Sequence, residues 1–368
     1  MSNEKFYKCI VLSMVKHDYI GLAIEAHPRT KLVAVADDAD NPSWVHQRNL
    51  EFAQRHNIPY IMDVEKAFQD YIADFVVICS EAERHCDLAV RAANFGLSII
   101  SDKPMSNRLS ECERLFHSVK INKVKYMLWN RNFLPALLKT KQILSDRNLG
   151  PINSFHVDFF FSKDSGPPKS ISNQSREKID WLSRQIEAHT DGSDGGVGNE
   201  PMGELMIEGC YPLGYFHFIT NDSVKSVFCS SLTHFHQVNF DNGVEDLAAL
   251  SFESVGGILG SIAIGRIGAH SHPNIGEIRL HITCENGSVV IAEPRPEIAQ
   301  FYRNQSISDY KNLRIENFND LLLVSNFISY IEGSETGVLN EDAALHISKV
   351  VDACLYSSKI GKQVSVPQ

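Results

Sequence analysis

The chain has 368 residues, 43% hydrophobic and 22% charged, enough to bury a large core and more in keeping with two domains than one. Its formal net charge of −10 disfavours a nucleic-acid surface, which needs a clustered basic face, and no apolar run approaches the ~20 residues of a membrane span. The eight cysteines are scattered without a C-x-x-C pair, so they read as buried thiols of a reducing compartment.

The opening MSNEKFYKC is polar and leads straight into an apolar strand, so a cytoplasmic, uncleaved protein is expected. Five short apolar runs follow as strands: KCIVLS (8–13), KLVAVADD (31–38), ADFVVICS (73–80), GLSIISDKP (96–104) and VKYMLWN (124–130). Between them the apolar positions recur at helical spacing over 41–57, 63–71, 84–96 and 107–122. Strand and helix in alternation imply right-handed βαβ units and a parallel sheet covered on both faces. Ligands on such sheets bind at the carboxyl ends of the strands, so Ser13, Asp37, Ser80 and Asp102–Lys103 should share one edge.

After residue 130 the pattern changes. FLPALLKTKQILSDRNLG (133–150) is an amphipathic helix, and alternation with period two then marks INSFHVDFFFS (152–162), VKSVFCSSLTHFHQV (224–238), DLAALSFESVGGILGSIAIG (246–265) and EIRLHITCENGSVVIAE (277–293) as long antiparallel strands, with ENGS as a turn. The stretch 163–203, rich in Ser, Gly, Asp and Pro, reads as a long loop with an active-site or interface role. Two helices, within 318–333 and 340–361, close the chain. The expected fold is α/β: a parallel-sheet domain of βαβ units over 1–129, then an α+β domain over 130–368 whose long strands are mainly antiparallel.

Taken in order, ICSEAERHCDLAVRAANFGLSIISDKP, WNRNFLPALLKTKQILSDRNLGPINSFHVDF, VEDLAALSFESVGGILGSI, HITCENGSVVI and ALHISKVVDACLYSSKIGKQVSVP resemble the Gfo/Idh/MocA family over nearly the whole chain. The resemblance implies an N-terminal Rossmann domain followed by a C-terminal α+β domain with a large, mainly antiparallel open sheet, and NAD(P)-dependent oxidation or reduction at a hydroxyl-bearing carbon of a sugar, polyol or related small molecule. It also implies a homo-oligomer, dimer or tetramer, built on the open sheet. Lys103 in SDKP resembles the family's Glu-Lys-Pro motif, with Asp102 in place of Glu. A lysine there can polarise a substrate oxygen and take part in proton transfer; a surface lysine paired with Asp102 is the alternative. In GELMIEGCYPLGYFHF, aligned on Gly209, Tyr211 takes the position of the family's histidine and Ile207 that of its aspartate. A phenol can exchange a proton with a substrate hydroxyl, which Ile207 cannot do. Glu208 is adjacent but a helical rotation of about 100° away. Asn130 and Arg131 fall at the domain junction, where either contact with substrate or cofactor or a structural cap is expected, and His270 or His272 is expected to reach the substrate cleft.

Asp37 can accept from the adenosine ribose diol and repel a 2′-phosphate, which favours NAD over NADP. The phosphate turn is unusual. The glycines of G-x-G-x-x-G are missing, and their places fall near Ser13, Val15 and Asp18. A side chain in a left-handed turn costs roughly 1–2 kcal/mol, with Ser13 the mildest change and Val15 the least tolerant. The turn is rebuilt, with Ser13, Met14 and Val15 expected to meet the cofactor beside Asp37, Ser80, Asp102 and Lys103, and Lys16 or His17 offsetting the charge of Asp18. The pairs His234/His236 and His270/His272 would each point to one strand face, but exposed histidine pairs are commoner than metal sites, and no metal is expected. Two other readings use the same residues: a non-catalytic sensor or regulatory protein, and a lyase or hydrolase using tightly held NAD for transient oxidation.

Overall fold

The computed structural model describes residues 5–130, 134–146, 148–160, 201–234, 237–265, 277–293, 297–302, 313–314 and 319–368. Among them, 5–130 with 319–348 form one compact unit, and 134–160, 201–314 and 349–368 form another.

The first unit alternates β1 (Tyr7–Met14), α1 (Tyr19–Ala26), β2 (Thr30–Ala36), α2 (Ser43–Arg55), β3 (Tyr60–Ile61), α3 (Val64–Asp70), β4 (Phe75–Cys79), α4 (Ala82–Asn94), β5 (Ser98–Ser101), α5 (Leu109–Asn122) and β6 (Tyr126–Leu128). The strands form a six-stranded sheet in the order β3-β2-β1-β4-β5-β6, parallel at every pairing. This is the doubly wound order, with its switch point between β1 and β4. Ile10, Val11 and Leu12 of β1 and all of β4 from Phe75 to Cys79 are fully buried. Helices cover both faces, and each such side chain removed from water contributes about 1.5–3 kcal/mol. On α4 the buried positions Ala82, Cys86, Ala89 and Ala93, with His85 and Ala92 beside them, trace one helical stripe, and their small side chains let the helix lie close.

The second unit contains α6 (Leu134–Ser145), β7 (Ile152–Phe160), α7 (Glu204–Glu208), α8 (Cys210–Thr220), β8 (Val224–Leu232), α9 (Gln237–Asp241), β9 (Leu247–Ser254), β10 (Leu259–Gly265), β11 (Glu277–Cys284), β12 (Gly287–Glu293), β13 (Glu297–Tyr302) and β14 (Leu313–Arg314). The chain ends in α10 (Asn319–Glu332), α11 (Glu341–Ile360) and β15 (Val364–Ser365). Among the described residues the sheet has the order β14-β13-β12-β11-β7-β10-β9-β8-β15. Its pairings are antiparallel except β7 with β10, which run parallel at the centre, so the sheet is mainly antiparallel, as expected. Phe155 and Phe159 of β7 point inward, Phe155 edge-on to Phe216 of α8 at 5.4 Å and Phe216 edge-on to Phe252 of β9 at 4.9 Å. Gly260 of β10 lies under that ring, where a Cβ would come within 1.9 Å of Phe252. On the opposite face of β7, His156 lies 2.7 Å from Ser261 and 3.1 Å from Asp158.

Two segments differ from the sequence reading. The strand expected to run to Val238 stops at Leu232 and is followed by α9. There Thr233 donates to the Val244 carbonyl at 2.7 Å and the His234 amide donates to Asp246 at 2.8 Å, so side chains replace the ladder bonds. The exposed His234 therefore lies beyond the strand; its partner His236 and the pair His270/His272 lie outside the described residues. Second, α10 packs with the first unit. Phe327 meets Phe75 edge-on at 5.4 Å, Ser325 lies 3.0 Å from His27, and Glu332 accepts from Tyr7 at 3.0 Å. The Leu128 amide donates to the Leu339 carbonyl at 2.9 Å, and Lys120 pairs with Glu341 and Asp342 at 3.0 and 2.7 Å, so residues 339–342 cover the β6 edge. All eight cysteines are buried and free.

Candidate functional site

The switch-point end of β1 carries the glycine-free turn. Ser13 is fully buried and takes a left-handed conformation, φ 55°, at the place of the first missing glycine. The second left-handed residue is His17, φ 45°, and neither Val15 nor Asp18 is strained. That corrects the expected placement: the costly conformation falls on Ser and His, and the β-branched Val15 is spared it. The turn is tied down on both sides. The Val15 and Lys16 amides donate to the Cys79 carbonyl of β4 at 3.2 and 2.9 Å, the Met14 amide donates to Asn49 of α2 at 2.5 Å, and Arg48 donates to the Val15 carbonyl at 2.5 Å. The amides of Met14 and Val15, expected to face the cofactor, are thus spent within the protein. In the first turn of α1 the Ile20 amide likewise donates within the protein, to the His17 carbonyl at 3.0 Å, which leaves the positive end of the helix and the Lys16 side chain as what the turn offers an anion. A cavity of about 250 Å³ beside it is lined by Met14 to Asp18 and by Arg48, Glu51, Phe52 and Arg55.

The strand ends bring the predicted residues together along one edge. Asp37, just after β2, is fully buried. It accepts from Asn41 and Asn49 at 2.9 Å each and from Arg84 at 2.7 Å. Arg84, in the first turn of α4, also donates to the Ser13 hydroxyl at 2.7 Å and to Glu81 at 3.0 Å. Burial opposes its charge, but Glu81 and Asp37 outweigh that and hold its pKa above the usual range. Next door Arg91 makes two 2.7 Å bonds to Asp38. Ser80 follows β4, fully buried, its hydroxyl donating to the Glu81 carbonyl at 3.1 Å. His85 joins this loop to the next: one ring nitrogen lies 3.0 Å from the Ser80 carbonyl, the other 2.7 Å from the Pro104 carbonyl. Burial lowers the His85 pKa against the pull of Asp102 and the two carbonyls.

Asp102 and Lys103 follow β5, and the Lys103–Pro104 peptide is cis. Asp102 is fully buried, accepts from the Lys103 amide at 2.8 Å and lies 2.5 Å from His17. Burial would push its carboxyl up, but His17, His85 and Lys103 prevail and hold it at about 2. Lys103 is 8% exposed. Burial draws Lys16 down to about 8, with Glu81 and Asp102 pulling the other way. Burial, then Glu81, pushes Glu83 up to about 7. Arg84, Asn49 and His85 did not stand out in the sequence. The one available signal is that Glu81-Ala-Glu-Arg-His85 opens a helix directly after a buried strand, where side chains reach the ligand edge.

In the second unit, Tyr211 opens α8, 6% exposed and stacked on Phe159 at 5.6 Å with an interplanar angle of 17°. Gly209 joins α7 to α8 where a Cβ would lie 2.2 Å from the Leu205 carbonyl oxygen, so the turn that places Tyr211 needs glycine. Ile207 and Glu208 are buried. Glu245 accepts from the Leu205 amide at 2.8 Å, and burial raises its pKa. Asn130 is fully buried; Arg131 and His270 lie outside the described residues. Among the described residues no cluster of three metal-ligating side chains occurs, and no helix is long and apolar enough to cross a membrane.

The chain matches the model of the oxidoreductase family with an NAD-binding Rossmann fold over residues 13–129 and that of the GFO/IDH/MocA C-terminal domain over residues 137–290. Oxidoreductase P35 of Formosa agariphila is 24% identical over 208 residues, 56% of this chain and 61% of that protein. Myo-inositol 2-dehydrogenase of Thermotoga maritima is 27% identical over 115 residues, 29% of this chain and 34% of that protein. Both matches span less than two thirds of the relative's length. The WlbA dehydrogenase of Bordetella pertussis, in a crystal structure with NADH and UDP-GlcNAcA, shares the fold at TM-score 0.70 and 18% identity, covering 99% of each chain. Two family models matched in order, over a doubly wound sheet whose ligand edge gathers Ser13, Asp37, Ser80, Asp102 and Lys103, make this chain a member of the GFO/IDH/MocA oxidoreductase family.

Proposed function

We propose that this protein is an NAD(P)-dependent oxidoreductase acting on a hydroxyl-bearing carbon of a sugar, polyol or related small molecule. The observation that carries the reading is the convergence of Ser13, Asp37, Ser80, Asp102 and Lys103 on the carboxyl edge of the parallel sheet, at its switch point. When bound, the nicotinamide supplies the hydride acceptor or donor. The residues present fit such a group in part. The positive end of α1 and the Lys16 side chain suit a diphosphate, and Asp37 stands at the strand end expected to meet the ribose, where a free carboxylate would favour NAD(H) over NADP(H) but Arg84 already engages it. Lys103 is the proton-handling group, held by the bond from its own amide to Asp102. Tyr211 is the second group assigned to proton transfer. Myo-inositol dehydrogenase among the relatives supports a polyol or sugar substrate. Cytoplasmic location and a homodimer or homotetramer belong to the same reading.

Titration with NADH and NADPH, followed by a screen of polyols and sugars, tests it. Saturable NADH binding with turnover that Lys103→Ala abolishes without unfolding is the expected result; unchanged turnover removes Lys103 from its role. Turnover without net consumption of NAD would move the reaction to the lyase or hydrolase class. One observation favours a regulatory scaffold as second reading: the turn amides of Val15 and Lys16 and both Asp37 oxygens are already bonded within the chain. A folded protein that binds no nicotinamide nucleotide would decide for it.

A further inference from the structure

Strand-end acidic residues select NAD by two effects: they accept from the ribose diol, and they repel a 2′-phosphate. Both require a carboxylate with open lone pairs and uncompensated charge. Asp37 has neither. Its Oδ1 accepts from the Asp38 amide at 3.0 Å, Asn41 at 2.9 Å and Arg84 at 2.7 Å, and its Oδ2 from Asn49 at 2.9 Å and Arg84 at 3.4 Å. That exhausts the four or so lone-pair sites of a carboxylate. Arg84 meanwhile carries a planar fork of five donors suited to phosphate, on a side chain that is itself 20% exposed; its bonds to Asp37, to Ser13 at 2.7 Å and to Glu81 at 3.0 Å engage Nε and both terminal nitrogens without using every N–H, so a 2′-phosphate would share the guanidinium with Asp37 and Glu81.

We propose that Arg84 is the residue that sets discrimination at the ribose 2′ position: it neutralises Asp37 and offers its guanidinium to a 2′-phosphate, so that NADPH is admitted beside NADH. The inference rests on the nucleotide-binding reading above. A ribose diol gains Asp37 only when Arg84 turns away, whereas a 2′-phosphate is met by Arg84 itself. The two residues therefore act with opposite sign on the same choice.

The test is titration of the full-length chain with NADH and NADPH, comparing wild type, Arg84→Gln and Asp37→Asn, with thermal melts to establish folding. In wild type the two dissociation constants should lie within about tenfold of each other, the scale of one charge-assisted hydrogen bond. Arg84→Gln should shift the ratio toward NADH by about tenfold or more, and Asp37→Asn toward NADPH by a similar factor. If Arg84→Gln fails to fold, Asp37→Asn keeps the test alive, because Arg84 retains Glu81. Saturable binding with a ratio that neither variant moves overturns the inference and leaves the nucleotide reading standing. A folded wild type that binds neither nucleotide overturns the reading and the inference with it.

Discussion

The imidazole of His17, itself in a left-handed turn, lies 2.5 Å from the fully buried carboxylate of Asp102, which joins the β1–α1 turn to the loop carrying Lys103. Asp102 is held at about 2 against an ordinary 3.8. A depressed carboxyl pKa contributes stability that is complete above the unfolded value and is lost as pH falls through the folded one. The contribution, about 2 kcal/mol, should therefore disappear between about pH 4 and pH 2. Urea unfolding of wild type and Asp102→Asn across that range should show a difference that shrinks as pH falls; a constant difference would exclude the ion pair as its source.

Glu83 carries the opposite sign. Burial and Glu81 raise it to about 7, so the folded state holds its proton more tightly than the unfolded chain. Stability from this group is fully present below the unfolded value of 4.5 and declines as pH rises to about 7. Glu83→Gln should leave stability unchanged near pH 4 and raise it by about 2–3 kcal/mol above pH 7. The check is the pH dependence of the urea midpoint.

Arg84→Ala should be costly in a way its partial exposure does not suggest. It strands the buried Asp37 and removes the donor to Ser13, and leaving a buried charge unpaired costs about 3–5 kcal/mol. The pair Asp37→Asn with Arg84→Gln should lose less, because Asp37 is no longer a stranded charge, although buried Glu81 still loses its bond from Arg84. Chemical denaturation of the two proteins measures the contrast, and equal losses would show that Asp37 does not depend on Arg84.

Gly209→Ala should displace the start of α8, since its Cβ would fall 2.2 Å from the Leu205 carbonyl oxygen. A loss of about 2–4 kcal/mol is expected, with the stack of Tyr211 on Phe159 disturbed. Near-ultraviolet circular dichroism reports that change directly, and a wild-type spectrum with wild-type stability would refute the packing argument.

Local periodicity made the first unit readable. The runs that became β1, β2, β4, β5 and β6 are short and largely apolar, and their alternation with helical spacing pointed to a covered parallel sheet, with Asp37, Ser80 and Asp102 at their ends. The two-residue β3 is too short to carry a period. The parallel pairing of β7 with β10 was invisible because Ser154 and Leu259 meet across more than a hundred residues, and side-chain alternation is the same for either strand direction. The site divides similarly. Ser13 was identified because its position in the turn is local, but its partner Arg84 sits 71 residues away on a helix whose pattern reads as ordinary amphipathic packing. His85 was hidden because its two bonds are to backbone carbonyls, which any sequence supplies.

The covering of the β6 edge by residues 339–342 bears on how the chain is made. Lys120 and Glu341 are 221 residues apart, so at about 5–20 residues per second the ribosome needs on the order of 10–40 s to deliver the segment that completes the N-terminal unit. Until then β6 presents open backbone groups able to pair with another chain. The early sheet therefore has to tolerate an unfinished border during synthesis, and a chain interrupted before residue 319 should be recovered as aggregates or in association with chaperones rather than as a free domain.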